Sequence, residues 1–455
     1  MSSPDPGSFR DPASRVVLAE DKAIRLLDER GLEGWRALSG TEFFAKAVDD
    51  GRLIAAVEVD SPPPGSPAAL EHPLLPFISY PYEWTFSMLK DAAILQLDLL
   101  EGALSAGLTI KDATPYNIQF VEGRPMFIDI GSFEAYRPGE PWIGYRQFTR
   151  QFLFPLLLRA WVGVPFQPWL RGDLEGLTPA QMSRLLPFRK RWNRTALLHV
   201  RLQARMEERM SDRSVRQELG AAGFSVELIL ANVRKLRSLI ESLEWEHENQ
   251  GWSVYVECSH VTRDRTAKGQ FLTAVLERHL PKRVVDLGAN DGHFSRIAAA
   301  TGALAVAVDS DEAVLDALYR EHTGAGLAIV VTDLANPSPA QGWAGVERGS
   351  LLDRARPDLV VAYGLIHHLI YGASIPPGEV VRWLSEFGCP VVVEFVSPAD
   401  EMVAKLVGNK LPHELHRDRE EAEFRALLAS RFDIAEELRL ASGTRVLFAL
   451  HPLSG

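Results

Sequence analysis

Residues 284–294 read VVDLGANDGHF, and this stretch indicates the fold of the second half of the chain. Its first four residues are a largely apolar run typical of a buried strand, and the start of a helical segment follows. Gly288 and Gly292 frame the turn between them, where the absence of a Cβ lets the backbone come close to a ligand. The stretch therefore predicts a strand, a glycine turn and a helix beside a ligand site.

Similar apolar runs alternate with helical segments through the rest of this half. The runs are 284–287, 303–308, 328–331, 359–362 and 391–395. Alternation of this kind predicts an α/β fold with a doubly wound, mostly parallel sheet between helices. Two final runs, 432–438 and 444–450, flank Ser442-Gly443 and predict an antiparallel finish.

The charges in the glycine turn indicate which ligand it holds. A dinucleotide site would have the pattern Gly-x-Gly-x-x-Gly, with backbone amides around a pyrophosphate. Here position 290 is Asn, and the turn carries Asp286 and Asp291. Their carboxylates would repel a pyrophosphate but suit a sulfonium and an ammonium group, which favours S-adenosylmethionine.

Acids also follow the next two predicted strands. Asp309 ends the second strand about twenty residues after the turn, where a carboxylate would bind a ribose diol. Asp333 follows the third strand and is suitably placed for an adenine amino group. The alternative for each acid alone is a cap of the following helix.

These residues resemble the class I methyltransferases, and the resemblance covers about residues 268–450. It implies a Rossmann-like sheet of seven strands and S-adenosylmethionine as cofactor, with Asp309 on the ribose and Asp333 on the adenine. For the other residues of the turn it implies the methionine end for Asp286, Gly288 and Gly292, and positions close to the cofactor for Asn290 and Asp291.

Residues 363–369 read YGLIHHL at the end of the fourth strand, where the reacting group is expected. The Asn-Pro-Pro-Tyr motif of enzymes that methylate amino groups of bases and glutamine is absent, and the segment resembles small-molecule methyltransferases, including many O-methyltransferases. Transfer to a hydroxyl requires removal of its proton, and a histidine, His367 or His368, is a suitable base. The alternative is that one histidine packs on the sheet and the other bonds to backbone.

Glu394 ends the fifth strand on the same face. It is a candidate to orient a histidine or to bind substrate, and the alternative is a helix cap for the turn at 397–400.

The first half carries a second constellation of acids. Asp112 precedes Asn117 by five positions, and Asp129 follows in the sequence Asp-Ile-Gly. Phosphoryl transfer of the kinase type uses an Asp near the attacking hydroxyl, with an Asn and a second Asp on magnesium at this spacing.

Residues from about 16 to 168 thus resemble the protein kinase and aminoglycoside phosphotransferase superfamily. The resemblance implies Asp112 as the catalytic residue, and Asn117 and Asp129 as ligands of Mg²⁺ beside ATP. The sequence departs from the family pattern at Ile110 and Thr114, has no Gly-x-Gly-x-x-Gly, and offers only Lys46 as a candidate nucleotide-binding lysine. A kinase-like shell without catalysis is the alternative.

The pattern along the chain predicts four regions: a disordered tail at 1–15, an α+β kinase-like domain at 16–175, an arginine-rich helical connector at 176–250 and the methyltransferase domain at 251–455. Within the first domain, runs at 41–48 and 52–57 around Asp49-Asp50-Gly51 predict a hairpin. Helical spacing predicts a helix over 84–106, and 152–166 is apolar enough for a buried helix.

The net charge, the cysteine content and the apolar runs of the chain exclude several classes of function. The 455 residues carry a net charge of −11 and only two cysteines, which argues against nucleic-acid binding and predicts a reducing cytoplasm. The start of the chain has no signal-peptide pattern, no apolar run is long enough to span a membrane, and no Cys/His cluster predicts a zinc site.

The whole chain also resembles a group of bacterial two-part methyltransferases. We therefore expect O-methylation of a small-molecule or glycan-type substrate, with the kinase-like domain helping to select it. A bifunctional ATP-dependent phosphotransferase and methyltransferase is the alternative.

Overall fold

A computed structural model describes residues 3–190, 193, 199–200, 225–245, 259–321, 326–416 and 420–453. The chain forms two compact units. The first contains Met1–Glu246 together with Gln341–Arg348, and the second contains His247–Ala340 and Gly349–Gly455.

The first unit contains an antiparallel sheet of five strands in the order β1-β2-β3-β5-β4. The strands are β1 (Ser3–Pro4), β2 (Ser14–Leu18), β3 (Lys22–Leu27), β4 (Val57–Glu58) and β5 (Ala68–Pro73). Two small antiparallel pairs follow, β6 (Leu108–Ile110) with β9 (Phe133–Ala135) and β7 (Ile118–Val121) with β8 (Arg124–Phe127).

Residues 3–15 differ from the disordered tail expected there. β1 pairs with β2, and Asp5 N donates a hydrogen bond to Val16 O at 2.8 Å. Asp11 builds the turn before β2, since its carboxylate accepts from Ala13 N at 2.9 Å and from Ser14 Oγ at 3.0 Å. The polar residues that suggested disorder therefore form turns that end in a strand.

The helices of the first unit include a helix where a hairpin was predicted. Among the described residues these helices are α1 (Glu29–Ser39), α2 (Glu42–Asp49), α3 (Phe86–Ser105), α4 (Tyr145–Phe148), α5 (Phe154–Leu157), α6 (Gln167–Gly172), α7 (Pro179–Leu185) and α8 (Val226–Glu241). The hairpin prediction at 41–57 is wrong: Thr41 caps α2 by accepting from Phe44 N at 3.1 Å, and Lys46 is exposed on this helix. Gly51, with φ of +70°, follows the end of a helix instead of joining two strands.

The predicted helix over 84–106 is confirmed as α3, and most of its side chains are buried. α3 packs against β6, β8 and α8. It leads into β6 and the loop that carries Asp112 and Asn117, while Asp129 follows β8. The three predicted residues thus follow short strands placed by a buried helix.

The predicted buried helix over 152–166 is confirmed up to Val162. It runs through α4, a π-helical segment at Thr149–Leu153, α5 and a second π-helical segment at Leu158–Val162. Of the predicted connector at 176–250, the structure describes α7, α8 and short flanking stretches. Arg194, Arg201, Arg205, Arg209 and Arg213 lie outside the described residues.

The segment Gln341–Arg348, here called the returning segment, is fixed to the first unit at three points. Arg10 Nε donates to the buried Glu347 carboxylate at 2.6 Å. The Arg348 guanidinium lies 4.5 Å from the centre of the Tyr116 ring, and Gln341 Nε2 donates to the Arg171 carbonyl at 2.9 Å.

The second unit contains a seven-stranded sheet in the order β12-β11-β10-β13-β14-β16-β15. Its strands are β10 (Arg283–Leu287), β11 (Leu304–Asp309), β12 (Leu327–Val331), β13 (Leu359–Ala362), β14 (Val391–Val396), β15 (Phe432–Arg439) and β16 (Arg445–Pro452). The first five are parallel, and β16 runs antiparallel to β14 and β15. The prediction of a mostly parallel sheet with an antiparallel finish is confirmed.

Helices alternate with these strands along the second unit. They are α9 (Ser259–His279), α10 (His293–Ala299), α11 (Glu312–Glu321), α12 (Leu351–Ala355), α13 (Pro377–Ser385), α14 (Glu401–Val407) and α15 (Glu421–Ala429). Across both units, none of the helices in the described ranges combines the length and apolar character needed to cross a bilayer.

Candidate functional site

A cavity of about 850 Å³ lies at the carboxyl ends of the parallel strands of the second unit. Ligands in open α/β sheets bind at this edge, where the strand order reverses between neighbouring strands. In this sheet the reversal falls between β10 and β13. We call this cavity the strand-end cavity; it is lined by residues from the loops after β10, β11, β12 and β13, from α9, and from the segments around α14 and β16.

The glycine turn forms one wall of the strand-end cavity. Gly288 has φ of +80°, Asn290 +49° and Gly292 +72°, three left-handed conformations that favour glycine. Gly288, Asn290 and Asp291 line the cavity. Gly292 instead begins α10, where a Cβ would lie 2.6 Å from Leu318 Cδ2, so close helix packing requires this glycine.

Asp309 and Asp333 line the same cavity. The Asp309 carboxylate accepts from Asn290 N and from Asp311 N, each at 2.9 Å, and burial raises its pKa above the ordinary value. Asp333 is exposed and accepts from Ala335 N at 2.9 Å. A carboxylate offers about four lone-pair positions, so both acids can accept further hydrogen bonds from a ligand.

Asp286 does not line the strand-end cavity. Its side chain is 1% exposed and accepts a hydrogen bond from Ser295 Oγ, on α10, at 2.6 Å. Burial raises the pKa of Asp286 to about 7. The structure joins this carboxylate to α10, and the cofactor contact implied by the resemblance stays a prediction.

His367 and His368 both line the cavity, with ring centres 4.2 Å apart. Burial, with the neighbouring ring, lowers the pKa of His367 to about 3, and burial lowers the pKa of His368 to about 4. Both imidazoles are neutral at pH 7. His367 is 3% exposed, and neither of its ring nitrogens has a hydrogen-bond partner in the described part of the chain.

Glu394 is fully buried behind the cavity wall and is held by two cations. Lys268 Nζ donates at 2.7 Å and Arg445 Nη1 at 3.1 Å, while Gly364 N donates at 2.7 Å. Burial alone would raise the pKa of Glu394, but Lys268 and Arg445 lower it below the ordinary value. Helix capping after β14 falls to Asp400, which accepts from Met402 N at 3.0 Å.

Lys268 and Arg445 both line the cavity, and the sequence analysis did not single them out. A glutamate inside the apolar run of β14 is a signal that could have indicated a cationic partner, because charged side chains are almost never fully buried alone. That signal does not say which of the 49 lysines and arginines the partner is.

The strand-end cavity fits S-adenosylmethionine. The glycine turn lets a ligand come close to the backbone, and Asp309 and Asp333 retain free acceptor positions. The buried ring nitrogens of His367 have no hydrogen-bond partner among the described residues. A ligand in this cavity would supply hydrogen-bond partners for these protein groups.

The three predicted residues of the first unit do come together. Asn117 Nδ2 lies 3.5 Å from Asp129 Oδ2, which also accepts from Ser132 Oγ. Burial and the nearby Asp129 charge raise the pKa of Asp112. We call Asp112, Asn117 and Asp129 the acidic cluster.

The acidic cluster does not fit a magnesium ion. Arg25 Nη1 lies 2.8 Å from Asp129 Oδ1, so the carboxylate expected on the metal already has a cationic partner. Asn117 turns its amide nitrogen, a donor, towards Asp129. Throughout the described ranges, no three His, Cys, Asp or Glu side chains are grouped so as to hold a metal ion.

The strand order of the second unit, with its glycine turn and final antiparallel strand, defines the class I methyltransferase fold. The chain belongs to the family of the nodulation protein NoeA: it is 33% identical over 455 residues to NoeA of Rhizobium meliloti (strain 1021), covering 97% of this chain and 94% of that protein. No protein-family model matches the chain.

Three similar solved structures each match less than half of the chain. The magnesium protoporphyrin IX methyltransferase ChlM from Synechocystis PCC 6803, with bound S-adenosylhomocysteine, matches 43% of this chain and 89% of its own, at 21% identity and a TM-score of 0.29. The N-methyltransferase NodS from Bradyrhizobium japonicum WM9 matches 44% and 100%, at 12% identity and 0.31. The bifunctional kinase-methyltransferase WbdD matches 47% and 45%, at 18% identity and 0.29.

Proposed function

We propose that the second unit is an S-adenosylmethionine-dependent methyltransferase that acts on a hydroxyl group of a small or carbohydrate-like substrate. The observation that carries the proposal is the shared cavity of the Gly288 turn, Asp309 and Asp333 at the carboxyl ends of β10, β11 and β12. In this proposal Asp309 accepts from the ribose hydroxyls and Asp333 from the adenine amino group. The cofactor, when bound, supplies an electrophilic methyl group.

The reacting side of the proposed site is the histidine pair. The His367 imidazole is buried, without a hydrogen-bond partner among the described residues, and neutral at pH 7, so its one unprotonated ring nitrogen can accept the proton of a substrate hydroxyl. Bound S-adenosylmethionine would supply the methyl group to this oxygen, with a methyl ether and S-adenosylhomocysteine as the products. His368, beside it in the same wall, is the alternative base.

Glu394 has a positioning role in this proposal. Its carboxylate is occupied by Lys268, Arg445 and Gly364 N, which leaves it unsuited to act as a base. By holding Gly364 it fixes the start of the loop that carries the histidines, and by holding Lys268 it fixes α9 at the cavity.

The first unit is proposed to help select the substrate without catalysing phosphoryl transfer. Support for a shared role of both units comes from the NoeA relationship, which extends over nearly the whole chain. The second candidate, an ATP-dependent phosphotransferase, is favoured by the proximity of Asp112, Asn117 and Asp129 and opposed by the Arg25–Asp129 pair. The cytoplasmic location expected from the cysteine content stays a prediction.

Titration calorimetry of the purified chain with S-adenosylhomocysteine tests the cofactor assignment. We expect binding that weakens about tenfold or more in Asp309→Asn, because a hydrogen bond to a charged group contributes about 1.5–3 kcal/mol. The control is Asp433→Asn, an exposed acid on β15 outside the cavity. Absence of binding to the wild-type chain would show the proposal to be wrong.

A parallel screen measures transfer of a labelled methyl group from S-adenosylmethionine to oligosaccharides and other small hydroxylated molecules. We expect an alkali-stable product, as a methyl ether is, whereas an alkali-labile methyl ester would exclude a hydroxyl acceptor. Thermal unfolding with ATP and magnesium tests the second candidate, the ATP-dependent phosphotransferase. We expect no magnesium-dependent shift of the unfolding midpoint.

A further inference from the structure

Asp264 is a buried acid of the strand-end cavity that the proposed mechanism does not use. It lies on α9, lines the cavity and is 6% exposed. Its Oδ1 atom is buried and has no hydrogen-bond partner within the described ranges. A buried acceptor that is left unsatisfied destabilises the folded chain, and more so when it is charged. The arrangement therefore calls for a donor that the described part of the chain does not provide.

The charges around Asp264 are already compensated by other residues. Lys268, one helical turn further along α9, pairs with Glu394 at 2.7 Å. Arg265, the next residue, pairs with Asp291 at 2.6 Å. Among the described residues, Asp264 has no ion-pair partner, so at this side of the cavity one negative charge remains to be matched by a ligand.

Asp264 differs from Asp286 in that its residue lines the cavity. The carboxylate of Asp286 bonds to Ser295 away from the cavity, whereas a carboxylate on α9 faces into it. Lys268, on the same helix, is joined to β14 through Glu394, and its carbonyl accepts from Tyr363 Oη at 3.4 Å just after β13. These contacts hold the helix against the strand ends next to the glycine turn, across the sheet from Asp333 after β12.

We propose that Asp264 binds the α-ammonium group of the cofactor's methionine portion. This inference rests on the proposed function, because it takes the ligand of the strand-end cavity to be S-adenosylmethionine. If Asp309 binds the ribose and Asp333 the adenine, the amino-acid end extends from β11 towards β10 and β13, the side on which α9 lies. An ammonium group has three N–H donors and a positive charge, which match the free oxygen and the unmatched charge of Asp264.

The test compares two cofactor-derived ligands in titration calorimetry: S-adenosylhomocysteine, which has the amino-acid portion, and 5′-methylthioadenosine, which lacks it. Asp264→Asn keeps the size of the side chain but removes its charge. We expect this variant to bind S-adenosylhomocysteine about tenfold or more weakly than wild type and 5′-methylthioadenosine equally well. Removal of a negative charge could only favour the ligand's α-carboxylate, so a selective loss reports on the ammonium group.

The matched control is Glu277→Gln, an exposed acid of the same helix that does not line the cavity. Equal affinity of wild type and Asp264→Asn for S-adenosylhomocysteine would overturn the inference, and so would an equal loss for both ligands, which would indicate a structural role. Failure of the wild-type chain to bind either ligand would instead overturn the proposed function. Unfolding of the ligand-free Asp264→Asn variant at the wild-type midpoint or above excludes a folding defect.

Discussion

Lys268 Nζ lies 2.7 Å from Glu394 Oε2, so that a helix before the first strand of the second unit is joined to the fifth strand. The Glu394 side chain is fully buried and that of Lys268 is 11% exposed. Arg445, on β16, binds the other oxygen of Glu394 and both oxygens of Asp400. One buried carboxylate thus connects three elements that surround the strand-end cavity.

Lys268→Met should lower the free energy of unfolding by about 3 kcal/mol, because it leaves a buried carboxylate with less compensating charge. Urea unfolding of wild type and variant measures the effect. Arg382→Met is the matched control, since Arg382 forms only exposed pairs with Glu379 and Glu386 and should cost less than about 1 kcal/mol. Equal losses in the two variants would contradict the role given to the buried pair.

Asp286→Asn should change how stability depends on pH. Burial raises the pKa of Asp286 from 3.8 to about 7, so between these values the folded chain keeps a proton that the unfolded chain has released. This contribution to stability is fully present below pH 3.8 and is lost as the pH rises towards 7. The variant does not titrate, so its stability relative to wild type should increase from acid pH to about pH 7 and then level off. Urea unfolding across this range checks the prediction, and a constant difference would contradict it.

His367→Leu should separate stability from activity. Removing a buried imidazole without hydrogen-bond partners should leave the ligand-free chain at least as stable at pH 7.5, while methyl transfer falls ~100-fold. The pKa of about 3 also means that the wild-type chain loses stability as the pH falls below 6.5, where the unfolded imidazole binds a proton first. The variant should lose less over that interval. His368→Leu, measured in the same assays, identifies the base if transfer falls only there.

Arg25→Met should destabilise the first unit by about 1.5–3 kcal/mol, because Asp129 loses its charged hydrogen-bond partner. Thermal and urea unfolding measure the loss. Arg52→Met, which removes a half-exposed pair with Asp50, is the control and should cost less than about 1 kcal/mol. If Arg25→Met gained a magnesium-dependent response to ATP, the guanidinium would be shown to occupy a metal position. A stable variant would show that the Arg25–Asp129 pair contributes little.

The seven strands of the second unit could be predicted from the sequence because five of them are nearly continuous apolar runs, the signature of strands buried on both faces. The glycine turn could also be predicted, since Gly288 and Gly292 adopt the left-handed conformations that the pattern requires. The direction of the Asp286 side chain could not be predicted from the sequence, because it depends on Ser295 and on the packing of α10 on β10. Local pattern does not determine such packing.

Residues that act across long sequence separations escaped prediction for the same reason. Glu394 meets Lys268 and Arg445, which lie 126 and 51 positions away, and the pairing follows only from the order of strands in the sheet. Arg25 meets Asp129 from a different sheet of the first unit, with no motif to mark it. The sequence pattern predicts a strand where helix α2 forms, because Asp49-Asp50-Gly51 is as suitable at a helix end as in a hairpin.

The returning segment has a consequence for protein synthesis and for the design of truncated chains. A fragment that stops at Glu246 would leave Arg10 without Glu347 and Tyr116 without Arg348, so it would contain the first unit with one of its parts missing. On the ribosome the first unit likewise stays incomplete until translation has passed the third strand of the second. The first unit is therefore encoded by two stretches of the message, and the beginning of the second unit is encoded between them.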